Sequence, residues 1–109
     1  IPLHATCVRV PIVLSHSEAV WIETEKAASP EEVRDVLRGA EGLVLVDDPQ
    51  THRFPTTTLA AREDPVYAGR IRRDPTIANG LALWIVADNI RKGAALNAVQ
   101  IAERLVELL

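Results

Sequence analysis

The most hydrophobic run of the sequence, residues 81–87 (LALWIVA), constrains the fold more than any other stretch. It is short and continuous, it contains β-branched and aromatic side chains, and Asp88 closes it. Runs of this length and composition are typical of buried β-strands. Because a central strand is more completely buried than an edge strand, we expect residues 81–87 to lie at the centre of a sheet.

Several other segments have the composition of strands, and two have the boundary residues of helices. Consecutive strands joined by short turns favour antiparallel pairing. The order therefore predicts an α+β fold, in which a mainly antiparallel or mixed sheet has helices on one face and a long helix at the C-terminus. Residues 47–65 form a predicted surface loop with a weak helical turn at 58–62, and a loop of that length is usually functional or covered by a partner. The predicted strands are residues 4–13, 17–25, 43–46, 66–72 and 81–87.

The two predicted helices differ in how much of their surface is apolar. The first begins at Ser29-Pro30-Glu31-Glu32, which combines an N-cap, a proline at the first helical position and a capping box, and Gly39 or Gly42 ends it. Asp88-Asn89 can cap the second, which spans about residues 90–109. Its apolar residues cover more than one stripe of about 100°. We therefore expect this last helix to pack on something outside the chain or on a second copy.

Composition limits the classes of function. The 109 residues suffice for one domain with a modest core. The net charge is −3 and no run of lysine and arginine occurs, so nothing indicates a nucleic-acid or membrane partner. One cysteine cannot form an internal disulfide, which fits a cytoplasmic protein. Because the sequence opens with Ile1-Pro2 and enters a strand pattern at once, we interpret it as a piece of a longer protein, and a processed or tag-cleaved small protein is the alternative.

Residues 7–20 place a cation and a titratable imidazole close together. Arg9 presents a planar fork of donors that suits a carboxylate or phosphate, and the unperturbed pKa of a histidine such as His16 lies near neutrality. On one straight strand their odd spacing would put them on opposite faces, but Pro11 permits a bend between them. A clamp beside a proton-transfer group suits an enzyme of small acidic substrates. An exposed arginine and a surface histidine are the simpler interpretation.

Other reactive residues have simpler structural explanations. Cys7 lies in a segment rich in Val and Thr, which predicts a buried, inert thiol. The histidines lack metal-ligand spacing, and the glycines fit neither the dinucleotide fingerprint nor the P-loop. The arginines of residues 70–73 indicate a solvated strand face with an ion pair to Asp74. Asn89 is most simply a helix cap, although a cap beside small residues could also receive a ligand.

Five motifs together resemble the C-terminal part of bacterial aspartate-semialdehyde dehydrogenases. Their order and spacing agree over essentially the whole chain, and they are specific as a set although each alone is weak. The motifs are CVRVP at residues 7–11, HSEAV at 16–20, GRIR at 69–72, ADNIRKGAA at 87–95 and NAVQIAE at 97–103.

The resemblance implies a reaction, a fold and an assembly. Such enzymes reversibly convert L-aspartyl-4-phosphate and NADPH to L-aspartate 4-semialdehyde, NADP⁺ and phosphate, a step that leads to lysine, threonine and methionine. A cysteine thiolate forms a thioacyl intermediate that accepts hydride. The implied fold is that of the C-terminal domain of glyceraldehyde-3-phosphate dehydrogenase. The implied assembly is a homodimer or homotetramer that binds a small-molecule substrate and neither nucleic acid nor membrane.

The resemblance also implies roles for individual residues. The substrate-binding arginine of the family falls on Arg9, where it would clamp the substrate α-carboxylate. The acid/base histidine falls on His16, and the late cofactor-contacting amide falls on Asn89. No metal is implied. Cys7 is not the nucleophile, because residues 5–8 lack the Asn-Cys-x-Thr setting in which the family places its reactive cysteine.

The same resemblance divides the chain into two parts. Residues 1–88 correspond to the catalytic and dimerisation domain, and residues 89–109 correspond to a C-terminal helix that packs on a nucleotide-binding domain absent from this sequence. That absent domain would bind most of the NADP, and it would carry the nucleophile and the phosphate-binding residues. We therefore expect the chain alone to have no dehydrogenase activity.

Two alternatives remain open. One is a related acyl-phosphate reductase such as N-acetyl-glutamyl-phosphate reductase, although the motifs HSEA at residues 16–19 and DNIRKGAA at 88–95 favour the aspartyl branch. The other is a non-enzymatic oligomerisation module or a catalytically dead homologue. A Rossmann fingerprint and an Asn-Cys-x-Thr motif upstream would distinguish the enzyme from the non-enzymatic alternative.

Overall fold

The computed structural model describes residues 1–109 and contains one four-stranded sheet, three α-helices and one π-helical segment. The predicted α+β fold class with a long C-terminal helix is confirmed. None of the helices has the length and apolar character that crossing a membrane requires. The strands are β1 (His16–Glu23), β2 (Leu43–Leu45), β3 (Val66–Arg73) and β4 (Gly80–Ala87), the α-helices are α1 (Pro30–Arg38), α2 (Thr57–Ala60) and α3 (Leu96–Glu107), and the π-helical segment is Arg91–Ala95.

The sheet has the strand order β1-β4-β3-β2, so the most hydrophobic strand lies inside it, as predicted. β4 pairs antiparallel with β1 on one side and with β3 on the other. β2 pairs parallel with β3, which makes the sheet mixed. The register of the first pair sets His16 opposite Ala87 and Glu23 opposite Gly80. The start of β1 and the end of β4 therefore share one end of the sheet.

The buried core is small and lies where α2 contacts the inner strands. Ala60 of α2, Tyr67 of β3 and Val86 of β4 form one buried cluster, and Val46 and Trp84 pack against it. Ala60 and Val86 are completely inaccessible to solvent. The centre of the sheet is thus held by apolar contacts that the chain supplies itself.

Helix α1 begins and ends at its predicted signals. The Ser29 hydroxyl accepts a hydrogen bond from the Glu32 amide at 3.2 Å, and the Glu32 carboxylate accepts one from the Ser29 amide at 2.7 Å. This reciprocal pair is a capping box, and it holds the pKa of the Glu32 carboxyl below its usual value. Of the two glycines predicted to end the helix, Gly39 is the C-cap.

A largely buried ion pair joins α1 to the segment after β2, and both of its residues also bond to the backbone of β3. The Arg34 guanidinium lies 2.8 Å from the Asp47 carboxylate, and their side chains are 14% and 3% exposed. The same carboxylate accepts hydrogen bonds from the backbone amides of Arg70 at 2.7 Å and Ile71 at 3.1 Å. Arg34 also donates to the Ile71 carbonyl at 2.8 Å. Every polar atom of this pair that faces the interior therefore has a hydrogen-bond partner, as buried charges require.

The Asp47 carboxylate supports a bulge in β3. The pairing of β3 with β4 shifts register between Gly69 and Arg72, and Arg70 has a φ of +53°, which a residue with a side chain rarely adopts. A Cβ atom on Gly69 would lie 2.1 Å from the Val46 carbonyl oxygen. The close backbone approach predicted at Gly69 is therefore confirmed, and only glycine fits there.

The predicted strand at residues 4–13 does not form, so this prediction was wrong. Residues 1–13 have no regular secondary structure and all are exposed. A strand is stabilised by a partner along its edge, and Pro11 cannot donate to one. The Ile12 amide instead donates to the Val10 carbonyl at 2.8 Å, which bends the chain at Pro11 as the sequence suggested. Cys7, predicted to be buried, is exposed because the strand that would bury it is absent.

The last helical region matches its predicted extent but not a uniform α-helix. The π-helical segment comes first and α3 follows it without a break. No residue of α3 is buried. A hydrogen bond from Arg104 to the Glu41 carboxylate, at 2.7 Å, joins α3 to the turn after α1. Its exposed large apolar residues are Val99, Ile101, Leu105 and Val106.

Candidate active site

His16 is the first residue of β1, at the end of the sheet that it shares with Ala87. Its Nε2 lies 3.2 Å from a carboxylate oxygen of Glu18, and the side chain is 40% exposed. Residues two apart on a strand share a face, so this contact follows directly from the strand geometry. The Nδ1 atom is buried and has no hydrogen-bond partner within the chain. Nε2 thus has a carboxylate neighbour, and Nδ1 has no hydrogen-bond partner.

Arg9 lies in the exposed segment that precedes β1. Its guanidinium forms no ion pair within 4.0 Å in the structure and no side-chain hydrogen bond. All its donors are therefore available to a ligand. The chain changes direction twice between Arg9 and His16, at the turn around Pro11 and at Ser15, which has a φ of +73°. Arg9 and His16 do not lie on one straight strand, so their odd spacing does not force them apart.

Asn89 lies two residues beyond the register partner of His16, at the same end of the sheet. It is exposed, and its amide forms no hydrogen bond with the rest of the chain. The cap of the last helical region is Asp88, whose carboxylate accepts from the backbone amides of Ile90 at 2.8 Å and Arg91 at 3.1 Å. The simpler prediction, that Asn89 is the cap, was therefore wrong, and its side chain remains available.

Asp88 also makes a contact that sequence reasoning missed. Its second carboxylate oxygen accepts a hydrogen bond from the backbone amide of Arg62 at 2.8 Å. This bond, followed by the bond from Arg91, holds the pKa of the Asp88 carboxyl below its usual value. The Asp-Asn pair indicates a local cap, but no pattern in the sequence identifies a partner so far back in the chain.

The arginines of residues 70–73 form a solvated surface, as predicted, but not the predicted ion pair. The Arg70 guanidinium lies 5.7 Å from the centre of the Phe54 ring. Arg72 and Arg73 donate to the backbone carbonyls of Arg70 and Ala78. The Asp74 carboxylate accepts hydrogen bonds from Thr76 instead of pairing with an arginine, because the turn after β3 folds Thr76 onto it.

The chain has neither a phosphate-binding loop nor a metal-binding cluster. Asn89 provides an uncommitted amide, but the glycines at residues 39, 42, 69, 80 and 93 form no phosphate-binding loop. No group of three or more His, Cys, Asp or Glu side chains is arranged to hold a metal ion.

Comparison with known sequences identifies a family. A family model described as "Semialdehyde dehydrogenase, dimerisation domain" matches residues 1–92. The aspartate-semialdehyde dehydrogenase of Aquifex aeolicus is 53% identical over 107 residues, which are 98% of this chain and 32% of the relative. The enzyme of the same name from Bacillus subtilis is 48% identical over 105 residues, 95% of this chain and 30% of the relative.

Solved structures give the same result for the fold. Aspartate semialdehyde dehydrogenase II from Vibrio cholerae matches with a TM-score of 0.83 and 45% identity, over 90% of this chain and 29% of that one. A second structure of that enzyme, complexed with ASA, matches equally well. A probable aspartate-semialdehyde dehydrogenase from Pseudomonas aeruginosa matches with a TM-score of 0.77 and 34% identity, over 88% of this chain and 28% of that one.

The matches cover nearly all of this chain but only part of each relative. The chain spans about 30% of the length of the curated relatives it matches. The family model, in contrast, covers most of the chain and includes both Arg9 and His16. The chain therefore belongs to the semialdehyde dehydrogenase dimerisation-domain family.

Proposed function

We propose that this chain is part of an aspartate-semialdehyde dehydrogenase that reduces L-aspartyl-4-phosphate with NADPH. The products are L-aspartate 4-semialdehyde, phosphate and NADP⁺, in a step toward lysine, threonine and methionine. The observation that carries the proposal is the 53% identity, over 98% of the chain, to a relative with that name. The Vibrio cholerae structure complexed with ASA supports the class of substrate.

Arg9 is the proposed clamp for the substrate α-carboxylate. A guanidinium can pair with a planar carboxylate through two parallel hydrogen bonds, which fixes both distance and orientation. The Arg9 side chain has no acidic partner within the chain, so binding a substrate carboxylate breaks no existing ion pair. In this role Arg9 contributes to substrate binding rather than to bond breaking.

His16 is the proposed acid/base residue. In the proposed reaction a cysteine outside this chain attacks the acyl phosphate, phosphate leaves, and a thioester forms. After reduction of that thioester, His16 gives a proton to the oxygen of the resulting thiohemiacetal. His16 takes the proton back as the carbon–sulfur bond breaks, so that the aldehyde and the thiolate are released. The Glu18 carboxylate, 3.2 Å from Nε2, stabilises the imidazole while it is protonated, before the first transfer and after the second.

Asn89 is the proposed contact of this chain with the cofactor. NADPH supplies hydride when it is bound, and most of its binding site belongs to the part of the relatives that this chain does not span. The exposed Asn89 amide can donate and accept hydrogen bonds, and it lies at the same end of the sheet as His16. Asn89 would thereby orient the edge of the cofactor that is next to the acid/base residue.

The remaining parts of the proposal concern assembly. Residues 1–88 belong to the catalytic and dimerisation domain, and residues 89–109 pack on the nucleotide-binding domain. The exposed apolar side chains of α3 support such packing, because large apolar surfaces are rarely left in water. The whole enzyme is a cytoplasmic homodimer or homotetramer in this proposal, and the family name supports self-association.

The proposal is tested by assaying the whole protein that contains this chain. NADPH oxidation is followed spectrophotometrically with L-aspartyl-4-phosphate and, in parallel, with N-acetyl-glutamyl-phosphate. We expect turnover with the aspartyl substrate only, and no turnover from residues 1–109 alone. Turnover with neither substrate would overturn the proposed activity, and turnover with the glutamyl substrate would assign the chain to the related reductase.

A further inference from the structure

We infer that Asp88 is a positioning residue for Asn89. Its buried carboxylate links the turn at Arg62 to the turn that carries Asn89, and this link sets the place of Asn89 at the end of the sheet. The inference rests on the proposed function, because it takes Asn89 as the residue that contacts the cofactor. It adds a residue whose role is to orient another, without itself touching the reacting atoms.

The hydrogen bonds of Asp88 show that it links two separate segments. One carboxylate oxygen accepts from the Ile90 and Arg91 amides, which belong to its own turn. The other oxygen accepts from the Arg62 amide, in the turn after α2. Asp88 is 3% exposed, so these bonds are shielded from water. A cap needs only the first oxygen, and the second oxygen serves the link.

The backbone of the turn at Arg62 has an unfavourable conformation, which contacts from outside the turn stabilise. Arg62 has a φ of +68°, a left-handed conformation that is unfavourable for a residue with a side chain. Such conformations persist where the surroundings fix them, and they cluster at functional sites. A second bridge joins the same two segments, since the Arg91 guanidinium pairs with the Asp64 carboxylate. Its side chains are 46% and 53% exposed, so this ion pair contributes little, and the buried bond between Arg62 and Asp88 forms the link.

The helical geometry after Asn89 is also unusual. The Gly93 amide donates to the Asp88 carbonyl at 3.2 Å, and the Ala95 amide donates to the Ile90 carbonyl at 2.9 Å, which is the spacing of a π-helix. Short π-helical segments are rare and occur frequently at functional sites. Asn89 thus lies between a buried carboxylate before it and a widened helical turn after it. Both features fix the backbone on either side of Asn89, from which its side chain extends.

The substitution D88N separates the link from the cap. The asparagine oxygen can still accept from Ile90 and Arg91, but its NH₂ group would face the Arg62 amide, donor against donor. In the whole enzyme we expect the Kd for NADPH, measured by nicotinamide fluorescence in the absence of substrate, to rise roughly tenfold, in keeping with the loss of one charge-assisted hydrogen bond. We also expect faster hydrogen exchange at the Arg62 amide, with the Ile90 and Arg91 amides unchanged.

The matched control is D64N, which removes the exposed bridge to Arg91 and leaves the Asp88 carboxylate intact. We expect D64N to leave the Kd for NADPH unchanged. An unaltered Kd in D88N, with Arg62 exchange accelerated, would overturn the inference and leave Asp88 a structural cap. A wild-type enzyme that binds no NADPH would instead reject the proposed function.

If D88N does not fold, hydrogen exchange in the wild-type enzyme tests the link directly. Arg62 is an exposed residue, so its amide is protected only if the bond to Asp88 persists. We expect protection comparable to that of the β4 amides. Exchange at the rate of an unstructured chain would overturn the inference.

Discussion

The central sheet and the two ends of the chain differ in how well contacts within the chain bury and hold their side chains. Leu81 and Val86 in β4 are almost completely buried, and the ion pair between Arg34 of α1 and Asp47 supports the neighbouring strand β3. Residues 1–13, in contrast, are exposed throughout, and no residue of α3 is buried. The apolar side chains of the ends are therefore exposed to water in this chain. Those left exposed in residues 1–13 are Ile1, Leu3, Val8, Val10, Ile12 and Val13.

This difference divides the candidate site. His16 and Asn89 belong to the supported part, where strand pairing and the Asp88 carboxylate define their surroundings. Arg9 belongs to the unsupported part, and no hydrogen bond within the chain fixes its side chain. A candidate site residue can therefore be proposed from sequence although no contact within the chain fixes its side chain. The four predictions below test the two parts separately.

The largest effect should come from His16→Ala in the supported part. If His16 transfers protons, its removal in the whole enzyme lowers kcat by roughly 10²–10⁴-fold, the usual contribution of general acid–base catalysis. Steady-state assays with L-aspartyl-4-phosphate measure it. The control is His52→Asn on an exposed turn with a φ of +55°, which asparagine tolerates, and it should leave kcat unchanged. A near-normal kcat for His16→Ala would exclude the acid/base role.

The support of the sheet itself is tested by Gly69→Ala. The added methyl group would lie 2.1 Å from the Val46 carbonyl oxygen, so the bulge in β3 must distort. We expect the free energy of unfolding, measured with urea, to fall by about 3 kcal/mol or more. Gly39→Ala is the control, because no atom lies within 4 Å of its added methyl group. Equal urea midpoints for the two variants would contradict the requirement for glycine at residue 69.

A smaller effect is expected from Arg9→Lys in the unsupported part. A lysine keeps the charge but loses the fork of two parallel donors. We expect KM for L-aspartyl-4-phosphate to rise about tenfold, with kcat changed less, because a charge-assisted pair contributes mainly to binding. Arg53→Lys, on the exposed loop after β2, should leave KM unchanged. An unaltered kcat/KM in Arg9→Lys would argue against the clamp.

The smallest effect is expected from Ser29→Ala at the start of α1. Loss of an N-cap typically lowers the free energy of unfolding by about 1 kcal/mol, whereas Ser29→Asp should preserve most of it. Because the capping box lowers the pKa of Glu32 in the folded state, its contribution is full above the unfolded pKa of about 4.3 and is lost as the pH falls through the folded pKa.

Urea midpoints between pH 6 and pH 3 test this dependence. The wild type should lose more stability than Ser29→Ala over that range, because the variant lacks the bond from the Ser29 hydroxyl to the Glu32 carboxylate and keeps only the bond from the residue 29 amide. Parallel pH profiles for the two proteins would contradict the role assigned to the Ser29 hydroxyl.

Local patterns in the sequence predicted the supported part well. The helix start at Ser29 depends on four adjacent residues, and the central strand depends on one apolar run, so both are visible without tertiary contacts. Residues 4–13 have equally good strand composition, yet they form no strand here. Strand formation requires a partner, and composition carries no information on whether one is present.

The hydrogen bonds between distant segments near the candidate site were not predictable in the same way. Asp47 accepts from amides of β3, and Asp88 accepts from Arg62, in each case across more than twenty residues of sequence. Gly69 indicated a close approach, but nothing indicated that the following residue adopts a left-handed conformation. The roles proposed for Arg9, His16 and Asn89 came from the resemblance to a family, since spacing alone favoured ordinary surface residues.

The pairing of β1 with β4 also has a consequence for how the protein folds. β3 and β4 are joined by a short turn and can pair early. β1 can pair with β4 only after all the chain between them has been made. Pairing between distant segments slows folding and leaves strand edges exposed to association in the meantime. During synthesis, His16 therefore reaches its final surroundings only after Ala87 has left the ribosome. The proposed acid/base residue is thus made before β4 and positioned only once β4 is present.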